Sequence, residues 1–79
     1  MQSTTLLDIY IGEKIKELRM MRCLTQEQLA TQIWMSCQQL RRHEEGKNPI
    51  SAARLCHIAE ALRVSMEDFI PPEEKFTAL

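Results

Sequence analysis

Seventy-nine residues, against a usual domain length of about 150, leave room for one domain and no second, and so short a chain buries a marginal core that a partner subunit would help. Apolar residues at 44% and charged residues at 27% exclude a disordered chain, and the only two glycines, Gly12 and Gly46, exclude a Rossmann fingerprint or a phosphate-cradling Walker loop. Ten Lys and Arg against eleven Asp and Glu give a net charge of −1, which at first sight argues against a nucleic-acid partner.

The pattern of caps and apolar repeats predicts five short helices. Asp8 is placed to cap the first, in which Ile11, Ile15 and Leu18 form an inner stripe that runs out near Arg22. Thr25-Gln26-Glu27-Gln28 reads as a capping box opening a second helix, with Leu29, Ala30 and Ile33 facing inward. Ser36-Cys37-Gln38-Gln39 repeats that device, so the chain stops and restarts between Ile33 and Cys37. Gly46 and Pro49 end the third helix near Glu45, and Ser51 caps a fourth whose core stripe is Leu55, Ile58, Ala59 and Leu62. Ser65 caps a last short helix from Met66 to about Ile70, which Pro71-Pro72 terminates. Helices this short do not persist alone, so the expectation is all-α: a compact five-helix bundle. Residues 1–7 read as an N-terminal arm, 8–71 as the domain and 72–79 as a C-terminal tail that is a candidate for dimer formation.

Chemistry other than binding finds little support. Cys23, Cys37 and Cys56 are odd in number and form no C-x-x-C pair, which suggests reduced thiols in a cytoplasmic protein. No metal site is expected, since the neighbours Cys56 and His57 would point about 100° apart on a helix. No cofactor is implied, no membrane-spanning run is present, and His43 and His57 belong to no nucleophile–base pattern, so the chain does not read as an enzyme.

The informative stretch runs from Leu24 to Asn48: Leu-Thr-Gln-Glu-Gln-Leu-Ala, then Ile33-Trp34-Met35-Ser36, then a helix ending Glu44-Glu45-Gly46-Lys47-Asn48. With supporting residues from Ile11 to Phe69, it resembles the lambda-repressor-like helix-turn-helix family of Cro and phage repressor type. Small Ala30 lets two helices cross closely while Leu29, Ile33 and Leu40 hold their angle. On a wheel with Gln38 at zero, Arg42 lies near about 40°, Glu45 near about 340°, Arg41 near about 300° and Leu40 near about 200°, so one face is polar and the other packs. That face alone is equally an ordinary solvated one; the resemblance makes it the reading face of a recognition helix. Gln38 and Arg42 are then the preferred base readers, followed by Cys37 and Arg41, while Gln39 is expected in the capping box.

The resemblance implies further roles. Gln26 matches a phosphate-contacting Gln, and Lys47 and Asn48 a second phosphate anchor; Arg22 and Arg54 are additional phosphate candidates, or plain surface charge. Arg19 and Glu44 match a partly buried structural ion pair. Trp34 and Cys23 stand where glycine is usual, and the Trp34 indole is expected to pack within the molecule, the alternative being an exposed anchor for a partner. His43 is expected to be partly buried and hydrogen-bonded, whereas Glu45 puts an awkward carboxylate on the reading face. The function implied is a sequence-specific DNA-binding transcriptional regulator, a repressor acting as a homodimer on a near-palindromic operator in double-stranded DNA. Phe69, Ile70, Phe76 and Leu79 form a candidate dimer surface, against which Leu6, Leu7, Ile9 and Tyr10 could close. Alternatives are an antitoxin with a toxin partner, a restriction–modification controller, or a protein-interaction adaptor that binds no DNA. The charge objection weakens on inspection: residues 19–54 hold Arg19, Arg22, Arg41, Arg42, Lys47 and Arg54 against Glu27, Glu44 and Glu45, a local balance of +3.

Overall fold

Thr5, not Asp8, opens the first helix. In the computed structural model, which describes residues 5–72, α1 spans Leu6–Met21. The Thr5 hydroxyl accepts from the Asp8 backbone N–H at 3.2 Å, and the Asp8 carboxylate accepts in return from the Thr5 N–H at 2.9 Å. Asp8 is therefore the third-position partner of a capping box, where its charge also faces the positive end of the helix dipole. The helices α2 (Gln26–Gln32), α3 (Cys37–Glu44) and α4 (Ala52–Leu62) follow, capped by Thr25, Ser36 and Ser51 as their sequences predict. Gln28 and Gln39 complete their boxes, so Gln39 is held at the helix start.

The expected fifth helix is a single 3-10 turn, Met66–Phe69. Four residues followed by Ile70 in extended conformation and the proline pair cannot form the successive i to i−4 bonds of an α-helix. The described residues thus form four α-helices and one 3-10 turn, with no strand.

All four α-helices end the same way. A left-handed residue follows each, Cys23 (φ 57°), Trp34 (φ 57°), Gly46 (φ 74°) and Arg63 (φ 59°). The next N–H in each case donates back across the last turn: Leu24 to Arg19 O, Met35 to Ala30 O, Lys47 to Arg42 O and Val64 to Ala59 O, at 2.9–3.1 Å. This is the Schellman motif, which suits glycine best, yet three of the four positions carry side chains at about 1–2 kcal/mol each. Replacing Arg63 with glycine should accordingly raise stability by about 1 kcal/mol and the melting temperature by roughly 4–8 °C in a thermal scan; an unchanged or lower midpoint would show that the Arg63 side chain makes an offsetting contribution.

The core contains Ile11 and Ile15 of α1, Leu29 and Ala30 of α2, Ile33 and Met35 of the turn, Leu40 of α3, and the α4 stripe. Phe69 lies fully buried among them, because the 3-10 turn delivers its last side chain between α1 and α4. It is a core residue and leaves the candidate dimer surface. Ile70 stays half exposed, as do Leu6, Leu7 and Ile9, while Phe76 and Leu79 lie outside the described residues. Both glycines serve helix contact. A Cβ on Gly12 would run into the backbone oxygens of His43 and Glu44, and one on Gly46 would sit 2.8 Å from the Ile9 side chain. The close crossing of α1 over the end of α3 therefore depends on these two positions.

Candidate nucleic-acid interface

The orientation of α3 is set at its C-terminal end by a buried charge cluster. Arg19 of α1 donates from Nε to Glu44 Oε2 at 2.7 Å and from Nη2 to Glu44 Oε1 at 3.1 Å, a bidentate pair in which both residues are buried. Its third donor, Nη1, reaches Leu24 O at 2.7 Å. Gln26, first residue of α2, adds a bond from its amide nitrogen to the same Glu44 Oε1 at 2.9 Å. One carboxylate thus joins three helices, and no buried polar side-chain atom among the described residues lacks a partner. Gln26, expected on phosphate, has one amide N–H engaged inside the protein and is fixed in place by it.

From that anchor α3 presents Gln38, Arg41 and Arg42 to solvent, with Cys37 half-buried at its start and Leu40 fully buried beneath. Arg41 and Gln38 have no side-chain partner among the described residues. Arg42 is braced: with the Asn48 amide oriented to satisfy both its groups, the Asn48 oxygen accepts from Arg42 Nε at 3.1 Å and its nitrogen donates to Lys47 O at 3.0 Å. The Asn48 backbone oxygen accepts from His43 Nδ1 at 3.1 Å, so buried His43 ties the α3–α4 loop to the helix, in keeping with the expected hydrogen-bonded histidine. Asn48, expected on phosphate, is thereby a structural brace, a role that its position alone does not disclose.

Both carboxylates at the end of α3 are compensated, including Glu45, the one expected on its polar face. Glu44 is inside the charge cluster, and exposed Glu45 lies 3.3 Å from Lys47 Nζ. An ion pair this exposed is weak. Arg22, a phosphate candidate, also has partners inside the protein: its Nε donates to Leu62 O at 2.8 Å and its Nη2 to Arg63 O at 3.3 Å, which caps the C-terminus of α4. Arg54, on the first turn of α4, has no side-chain partner among the described residues and remains available.

Trp34 departs furthest from expectation. The indole is 95% exposed and does not pack within the molecule, because the left-handed residue between α2 and α3 carries its side chain outward. The three cysteines are free thiols, and no helix of the described residues is long and apolar enough to cross a membrane.

Helices α2 and α3, their left-handed turn and the charge cluster behind them fall within one recognised pattern: residues 15–69 match the family model HTH_3, helix-turn-helix. The chain belongs to the HTH_3 helix-turn-helix family. The resemblance to Cro and phage repressor domains is thus shown, and HTH_3 relatives are named as transcriptional regulators. A Rhodospirillum rubrum protein described as a transcriptional regulator in the ATPase CF(0) region is 39% identical over 69 residues, covering 87% of this chain and 64% of its own length. Among solved structures, the clp gene regulator ClgR from Corynebacterium glutamicum superposes with TM-score 0.80 at 25% identity, covering 85% of this chain and 71% of that one. The restriction-modification controller protein C.AhdI from Aeromonas hydrophila shares the fold with TM-score 0.77 at 24% identity, covering 80% of this chain and 96% of that one. The chain spans about half the length of the curated relatives it matches, from 41% to 64%.

Proposed function

We propose that this HTH_3 chain is a sequence-specific DNA-binding transcriptional regulator, a repressor that occupies a near-palindromic operator as a homodimer with α3 in the major groove. The observation that carries the reading is the junction at Glu44, which locks α1, α2 and α3 together and leaves Gln38, Arg41 and Arg42 as a rigidly aimed polar face. Gln38 suits adenine and Arg42 guanine, each good bidentate pair being worth about 1–3 kcal/mol of discrimination. Asn48 positions Arg42, and Cys37 and Arg41 flank the readers. Lys47, Arg54 and the remaining amide hydrogen of Gln26 supply phosphate contacts that set register without reading sequence. Ile70 with Leu6, Leu7 and Ile9 offers exposed apolar surface for a second copy. The fold shared with C.AhdI favours, as a second reading, control of a restriction–modification locus through the same DNA-binding face, which the neighbouring genes would distinguish.

A salt titration tests the binding mode. Binding to duplex DNA should weaken steeply between about 50 and 200 mM salt, with a log–log slope near −0.9 for each phosphate contacted. Arg54→Ala should lower that slope by about 1 and leave sequence preference unchanged. Salt-insensitive binding would point to an apolar protein contact and against this function.

A further inference from the structure

We propose that Trp34 is a DNA-backbone contact, resting on the α3 reading above: its indole lies against the sugar–phosphate chain at the N-terminal end of the recognition helix, beside Arg54. The left-handed backbone of Trp34 closes the Schellman turn of α2, as Cys23 and Arg63 do for their helices, so what sets this residue apart is the bulky ring that it leaves in solvent. A bulky aromatic occupies a left-handed position that favours glycine, and its ring is 95% exposed.

The surroundings say what the ring meets. Trp34 stands two residues before Ser36, the cap of α3, at the end of that helix which carries Cys37 and Gln38. It also walls an open cavity of about 240 Å³ with Ile33, Met35, Ala53, Arg54 and His57. The ionisable side chains lining that cavity are Arg54 and His57. Glu60, one turn beyond His57 along α4, lines an adjoining hollow and not this cavity. An aromatic plate with an N–H donor, a cation without a partner among the described residues and an imidazole match a deoxyribose flanked by phosphates. A duplex whose major groove holds α3 must run its backbone past this end of the helix.

Trp34 is the sole tryptophan, so its emission reports on the contact directly. The experiment is acrylamide quenching of the wild-type chain, alone and saturated with a mixed-sequence duplex of about 20 base pairs at about 50 mM salt, with binding followed in parallel by the anisotropy of labelled DNA. DNA should shield the indole and shift its emission. Trp34→Gly should raise the melting temperature, because glycine suits the turn, while weakening binding to every sequence by roughly 3- to 10-fold. Trp34→Asn, which also tolerates the left-handed turn, should weaken binding likewise. DNA bound with the indole still fully quenchable, or with affinity unchanged in both variants, would overturn the contact and leave the α3 reading standing. Shielding that grows with protein concentration in the absence of DNA would overturn it in favour of self-association. No anisotropy change with any duplex would overturn both.

Discussion

Glu44→Ala should destabilise the domain by about 3–5 kcal/mol, the usual loss when one partner of a buried pair is removed. Arg19 would keep only the Leu24 carbonyl, and Gln26 would lose the acceptor that holds it. For a domain of this size the total stability is about 4–12 kcal/mol, at 0.05–0.15 kcal/mol per residue, so much of the protein would unfold near physiological temperature. Urea denaturation followed by circular dichroism measures the change in midpoint. A companion variant separates folding from function: Arg19→Met with Glu44→Leu removes both charges, and its stability should lie much nearer the wild type, since buried pairs exchange for apolar ones at little loss. It still frees Gln26 and the junction of three helices, so its DNA affinity should fall although it folds. A double variant that binds DNA as tightly as the wild type would refute the positioning role of this cluster.

Gly12→Ala is the second large effect. In an isolated helix the change would be favourable by about 1 kcal/mol. Here the added carbon meets backbone, with the Glu44 oxygen at 2.7 Å and the His43 oxygen closer still, and backbone cannot rotate away as a flexible side chain can. Either α1 moves off α3 or the last turn of α3 distorts, and overpacking of this kind typically costs about 1–3 kcal/mol. The expected net result is a loss of up to about 2 kcal/mol in chemical denaturation, with weakened DNA binding because the tilt of α3 changes. A more stable Gly12→Ala protein would show that the crossing has room the structure does not indicate.

These two residues illustrate what was legible in the chain. Ser and Thr caps three positions ahead of Gln mark the starts of α2 and α3 because capping is local chemistry, and the apolar stripes identify the core for the same reason. The match of Arg19 with Glu44 was legible through the resemblance, since they are 25 residues apart and no local rule joins them. Gly12 carries a signal of its own: a glycine inside an amphipathic helix, next to buried Ile11, marks close helix contact. Asn48 and Arg22 could not be assigned from pattern, because their bonds depend on how the α3–α4 loop and the end of α4 fold back. Phe69 and Trp34 were misjudged for a shared reason. Both are aromatic residues at helix boundaries, where the direction of one side chain follows from a single backbone conformation that hydrophobicity does not encode: Phe69 turns inward from a 3-10 turn, and Trp34 turns outward from a left-handed one.

The central claim, that α3 reads sequence, is tested most directly by selecting bound duplexes from a random pool with the wild type and, side by side, with Gln38→Ala and Arg42→Ala. The expected outcome is an enriched inverted repeat whose half-sites lie about 34 Å apart, with each variant losing preference at its own base position. A pool with no enriched motif, or variants that select the same sequence as the wild type, would contradict it.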